Sequence, residues 1–236
     1  MSLESSLWLK EGSFNPANII EVEEFFKAPK EKRVYFLSSV TGIEEKERQA
    51  IQFHVDKRKS DEFKVYDPYR HTAQDDVKMV RIFEAHRLAI GSAGTVDAVF
   101  NPTSKGSIAD TGMAFMKETP INLVNGSYFI NHPLGNVAGL VMVKYGTHNL
   151  NVPKIVDKVS ETTYKLLLET REQLRDAAHV EFTWDERNPS LIFTFGMIFA
   201  SGKPFFLKNR GQYEYSHEKS FLNLLLSVHD QYNAHR

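Results

Sequence analysis

Thr95-Val-Asp-Ala-Val-Phe-Asn-Pro-Thr-Ser-Lys-Gly-Ser-Ile-Ala-Asp-Thr-Gly-Met-Ala-Phe115 decides how the chain is read. Thr95 to Phe100 is an apolar run of strand length, and a Pro/Ser/Lys/Gly loop follows it. A helix is expected from near Ser107 to just before Pro120, with Asp110 in its first turn. Pro120-Ile-Asn-Leu-Val124 reads as the next strand. Strand, polar loop and helix make a β-α-β unit, and in an open α/β sheet ligands bind at the carboxyl ends of the strands.

Upstream the same alternation continues. Ala17 to Lys27 reads as a short amphipathic helix stopped by Pro29, and Arg33-Val-Tyr-Phe-Leu37 as a strand. Thr41-x-x-Glu44 is a capping-box pattern, opening a helix to about Lys59. Phe63 to Tyr66 reads as a strand. Asp75 or Asp76 is expected to cap a long helix with Val77, Val80, Ile82, Phe83, Leu88 and Ile90 near one face. Strands and helices that alternate from residue 33 to 124 argue for a parallel sheet with right-handed crossovers. The fold class expected is therefore α/β, a Rossmann-like or flavodoxin-like parallel sheet flanked by helices. Its loops Ser38–Gly42, Asp67–Arg70 and Asn101–Gly106 leave one sheet edge together, which makes that edge the default site.

Downstream, a second α/β unit is expected over residues 131–236, packed against the first at 1–130 with no Gly/Ser/Pro-rich linker between them. Ala138–Lys144 and Val180–Trp184 read as strands, and Pro153–Arg175 as a helix. Asn188-Pro189 is a good N-cap pair for a helix to about Ser201, Gly202–Lys208 starts another strand, and His217–Tyr232 is an amphipathic helix. Trp184 to Arg187, at the end of the strand Val180–Trp184, read either as a segment closing the pocket or, more simply, as a solvated loop. Thr194 to Asn209 also echoes Asp110 to Asn125: Gly, Met, Phe, Pro, Leu and Asn recur in register. Two readings stay open, a duplicated half or the chance alignment of any helix–turn–strand with a proline. In the echo Thr194 stands where Asp110 stands.

Composition excludes several classes. A net charge of -1 gives no field for a nucleic acid polymer or an anionic membrane. No apolar run approaches the roughly 20 residues of a membrane span, and Met1 to Lys10 lacks the pattern of a signal peptide. Without cysteine there is no disulfide, thiol chemistry or thiolate metal site. The nine histidines show no paired metal spacing, so no metal and no cofactor are expected. A cytoplasmic soluble protein is the default.

Gly106, Asp110, Gly112 and Ala114, followed by Thr119-Pro120, carry a resemblance. The stretch resembles the signature of the nucleoside 2-deoxyribosyltransferase family and its nucleotide N-hydrolase relatives, Gly-x-x-x-Glu-x-Gly-x-Ala and then Lys-Pro, over roughly residues 33 to 125. The resemblance implies cleavage of a base–deoxyribose bond, a nucleoside or nucleotide as partner, and a homodimer as one assembly. The family's nucleophile is the Glu, and Asp110 holds its place with a side chain one methylene shorter. The family's Ile-Tyr-x-x-Asp pattern, which holds the base, has its counterpart in Ile82-Phe-Glu84-Ala-His86, so His86 becomes a candidate acid or base contact. Asn101 and Ser104 occupy the region of a second base-holding acid. Ser38, Ser39 and Thr41 lie where related proteins bind sugar or a 5′-phosphate.

Each candidate also has a plainer reading. Ser107-Ile-Ala-Asp110 is a capping box, in which Asp110 merely binds the Ser107 amide. His86 fits a solvent-facing helix histidine, Thr41 an N-cap, and Asp67 and Tyr69 an Asp-Pro turn. Gly106 and Ser107 fit an ordinary helix start. Alongside an enzyme on this fold stands a binding module that holds a nucleoside or nucleotide without turning it over.

Overall fold

The computed structural model describes residues 12–39, 45–99, 101, 103–124, 141, 158–185 and 187–234. Its first part is a four-stranded parallel sheet in the order β2-β1-β3-β4, built from β1 (Arg33–Leu37), β2 (Lys64–Tyr66), β3 (Thr95–Ala98) and β4 (Ile121–Leu123). Tyr35 lies between Tyr66 of β2 and Val96 of β3, and Asp97 of β3 lies between Phe36 and Asn122. This is the flavodoxin-like order, with its switch point between β1 and β3. Val34 to Leu37 are buried on both faces, as parallel strands covered by helices require.

Helix α1 (Ile19–Lys27) buries Val22 and Phe25, and α2 (Glu45–Ser60) buries Ile51 and Val55 on the face of Val34 and Phe36. The other face carries α4 (Val80–Ser92) and α5 (Lys105–Met116), whose cores join Tyr35 and Leu37. Asp76 closes the start of α4 by accepting from the amides of Lys78 and Arg81. Helix α5 begins at Lys105, two residues before the expected start. Ser104 is its N-cap and accepts from the Ser107 amide, which places Asp110 in the second turn, not the first.

The second part repeats the end of the first. After α6 (Lys158–Asp176) come β5 (Val180–Phe182), α7 (Pro189–Ser201), β6 (Phe205–Leu207) and α8 (Phe221–Asn233). Strands β5 and β6 are parallel, and Val180 pairs with Phe205 as Val96 pairs with Ile121. The Val180 amide binds the Pro204 carbonyl as the Val96 amide binds that of Pro120. The N-cap Asn188 matches Ser104, and Gly202 in the left-handed region closes α7.

Helices α5 and α7 form the most extensive interhelical contact, with a glycine of each at the crossing. A Cβ on Gly112 would run into the carbonyl oxygen of Phe193, and one on Gly196 into that of Ala109. Gly112 and Gly196 are counterparts in the echo, and so are Ala109 and Phe193. The contact is reciprocal in the manner of a two-fold axis.

Three expectations need correction. Helix α8 starts at Phe221, not His217, because residues 216–220 wrap around Asn223, whose amide group binds the carbonyls of Ser216 and Glu218. Val141 is the one described residue of the expected strand Ala138–Lys144, and it is helical and buried. Trp184 is buried against Phe182 and Phe221 rather than solvated. The capping box Thr41–Glu44 and Glu186 lie outside the described residues.

The crossing yields a contrast between glycines. Gly112→Ala or Gly196→Ala must push the helices apart and is expected to cost about 2–3 kcal/mol or more, despite the better helix propensity of alanine. At Gly106 a Cβ meets only the Ser104 hydroxyl at 3.9 Å. Gly106→Ala is expected to be neutral or to stabilise by up to about 1 kcal/mol. Urea denaturation of the three variants measures the difference.

Candidate functional site

Helix α5 lies buried between the sheet and α7, so the Asp110 side chain has no route to solvent along its own helix and is 3% exposed. An ionised carboxylate in such a place needs partners. Tyr35, from the middle of β1, donates its hydroxyl to Oδ2 at 2.7 Å. His86, from α4, places Nδ1 3.2 Å from Oδ1. A carboxylate only accepts, so an ionised Asp110 requires the proton on His86 Nδ1 and leaves Nε2 to other chemistry. His86 Nε2 is buried with no hydrogen-bond partner among the described residues, and so is the Ser39 hydroxyl. Burial, with the Asp110 carboxylate beside it, pushes the Tyr35 phenol well above its ordinary value, so it remains a donor at neutral pH.

The Ser107 amide binds Ser104, not Asp110, and His86 is 5% exposed rather than facing solvent. The two candidates separated by 24 positions thus meet on one carboxylate. The reason is topological: α4 and α5 flank β3 and cover the same face of the sheet.

The remaining candidates occupy the carboxyl edge without joining this contact. Ser38 and Ser39 follow β1 and are buried. Asp67 caps the single-turn helix α3 (Pro68–His71) by accepting from the Tyr69 amide, and burial pushes its carboxyl up. Tyr69 is 51% exposed and stacks under the Arg48 guanidinium at 4.6 Å. The Asn101 side chain accepts from the amide and hydroxyl of Thr103. Ser104 binds Ser107, and Gly106 sits in the first turn of α5. Thr41 lies outside the described residues. A groove of about 420 Å³ is lined by Glu21, Lys59, Phe63 and Lys64; it opens at the start of β2 and does not contain Asp110.

A second polar cluster was not anticipated. Asp97 is fully buried on the opposite face of the sheet. It accepts from Arg58 Nε and Nη2 at 2.6 and 3.0 Å and from the Asn122 amide at 3.1 Å, and lies 3.0 Å from His54 Nε2. Burial alone would raise its pKa; the hydrogen bonds from His54, Arg58 and Asn122 outweigh that and hold the carboxyl below the ordinary range. This cluster fixes α2, whose apolar anchor is small, to β3. Its signal was an aspartate inside an apolar strand, which must be paired. Tyr35 carried a comparable signal, since a buried phenol needs a partner. No three His, Asp or Glu side chains among the described residues form a group able to hold a metal ion, and no helix among them is long and apolar enough to cross a membrane.

Tyr35 and Tyr66 stack with ring centroids 5.8 Å apart, but their hydroxyls differ in what they bind. Tyr35→Phe removes a bond to a buried carboxylate and is expected to cost about 1.5–3 kcal/mol. Tyr66→Phe removes only a bond to the Thr72 hydroxyl at 2.9 Å, worth about 0.5–1.5 kcal/mol. Thermal or denaturant unfolding of the two variants checks the order.

Comparison of the chain with models of protein families, with curated proteins and with solved structures finds no match.

Proposed function

We propose that the chain binds a nucleoside or nucleotide at the carboxyl edge of its four-stranded sheet and cleaves the base–deoxyribose bond with Asp110 as nucleophile. The observation that carries this reading is the Asp110 carboxylate held between the Tyr35 hydroxyl and His86 Nδ1 beside the β1/β3 switch point. Two contacts use two of the roughly four lone-pair positions of a carboxylate, so each oxygen keeps a lone pair that the reading assigns to the attack. The resemblance of Gly106–Ala114 to the deoxyribosyltransferase signature supports the same assignment.

In that reaction an Asp110 oxygen bonds to C1′ of a 2′-deoxynucleoside or its 5′-monophosphate. The C1′–N bond breaks, its electron pair leaves with the base, and the base takes a proton from an acid, a role His86 fills when Nε2 is protonated. Water or a second base then attacks C1′ from the face the first base left, giving its proton to the His86 Nε2 that had released one. The ester opens, the carboxylate is restored, and the configuration is retained. The cytoplasm is the expected place of action.

A second reading rests on burial. Asp110 is in the second turn of α5, is 3% exposed and is one methylene shorter than the family's Glu. These features favour a module that binds a nucleoside or nucleotide and leaves it intact, with Asp110 holding β1, α4 and α5 together.

Incubation with a panel of deoxynucleosides and their 5′-monophosphates, with released base measured by chromatography, tests the proposal. Asp110→Asn preserves shape and lets His86 accept through Nδ1, so the fold is expected to survive. Base release is expected to fall by on the order of 10⁴-fold or more. Saturable binding without base release in the unaltered protein favours the binding module. Undiminished turnover by Asp110→Asn removes Asp110 as nucleophile.

A further inference from the structure

His71 lies at the end of α3, is 1% exposed, and has both ring nitrogens engaged. Nδ1 accepts the backbone N–H of Asp67 at 2.9 Å, so Nε2 carries the proton of the neutral ring. Nε2 lies 3.3 Å from Oε2 of Glu21 on α1. Glu21 also takes Lys59 of α2 at 2.8 Å and Arg70 at 3.1 Å. The Tyr66 ring of β2 packs on the imidazole at 5.3 Å, and the Asp67 carboxylate is held by the Tyr69 amide. These are the charged and titratable groups that face His71 from α1, α2, β2 and its own turn.

One lone pair, at Nδ1, is left to receive a further proton, and it already points at an N–H. Protonation there sets two donors against each other. The far side of the turn is tied independently. The side chains of Asn15 and Asn18 both donate to the Arg70 carbonyl, the Asn15 amide donates to the His71 carbonyl, and the Ala73 amide donates to that of Ser13. The Asp67 carbonyl is held too, by the amides of Arg70 and His71, so the strain of a protonated ring falls on the Asp67 amide.

We propose that His71 is a proton switch for the turn Asp67–His71: protonation at Nδ1 breaks the bond that fixes the Asp67 amide and frees Asp67 and Tyr69 at the carboxyl edge of the sheet. Glu21 does not compete for the role. The hydrogen bond from Lys59 outweighs its burial and, with His71 and Arg70, holds it at about 2, so it stays anionic across the range in which imidazole titrates. Burial lowers the His71 pKa from its ordinary 6.5 against the pull of Glu21. The unfolded chain then binds the proton more readily than the folded one, and the turn's stabilisation is lost as pH falls below about 6.5.

The test follows the Asp67 amide of the ¹⁵N-labelled full chain by NMR between pH 7.5 and 5. Protection of this amide from hydrogen exchange, corrected for intrinsic rates, is expected to fall by up to about tenfold per pH unit below about 6.5 and to level off once the folded ring is protonated. In His71→Asn the Asn oxygen takes the place of Nδ1 and cannot be protonated, so the fall is expected to vanish. Equal pH dependence in the variant overturns the proposal. A second measurement needs no variant: the His71 ring nitrogens and the Asp67 amide are expected to titrate together. Titration of the ring with an unmoved Asp67 amide overturns the switch, as does an Asp67 amide that stays protected to pH 5.

Discussion

Helix α5 has no solvent face, and the rest of the molecule is arranged around that fact. Every residue from Ser107 to Met116 is buried, so the helix must be covered both by the sheet and by a second helix. Helix α7 supplies the second cover, and it approaches closely because Gly112 and Gly196 let each backbone reach the other's carbonyls. Covering α5 completely also buries Asp110. A carboxylate in that position is stable only if its neighbours answer it, and Tyr35 and His86 do so from two different elements. Packing and site chemistry thus share one cause.

The sheet carries one such polar group on each face. Asp110 lies over the face shared with α4 and α5, and Asp97 lies on the face under α2. The two carboxylates differ in how much charge surrounds them. Asp97 meets a guanidinium, an imidazole and an amide, the pattern of a structural clamp that keeps a weakly apolar helix in place. Asp110 meets a phenol and an imidazole, and neither an arginine nor a lysine is among its hydrogen-bond partners. Beside Asp110, His86 keeps a buried nitrogen with no hydrogen-bond partner among the described residues.

The second β-α-β unit has no carboxylate at the position of Asp110. Its strand register, N-cap position and crossing glycine match the first unit residue for residue. At the position of Asp110 it has Thr194, whose hydroxyl returns to the Ser190 carbonyl within its own helix. A threonine satisfied locally needs no tyrosine or histidine from outside. Among the described residues the second unit therefore covers α5 and holds no counterpart of the Asp110 cluster.

Local pattern was enough to determine the elements and their direction. Strand-length apolar runs between helices, from Arg33 to Val124, specified a parallel sheet, and Asn188-Pro189 specified the start of α7. Pattern also brought Asp110 and His86 forward, through resemblance rather than through any sign that they touch. What it could not supply was every relation that depends on distance across the chain. Tyr35 reaches Asp110 over 75 positions and Arg58 reaches Asp97 over 39. The start of α5 slipped from Ser107 to Lys105 because serines at 104 and 107 are equally good caps locally, and only the docked helix chooses between them. Local residue pattern settles which segments are helix or strand. The tertiary structure alone decided which buried polar residues become partners, because a hydrogen bond between side chains exists only once the sheet and its covering helices have brought them within about 3 Å.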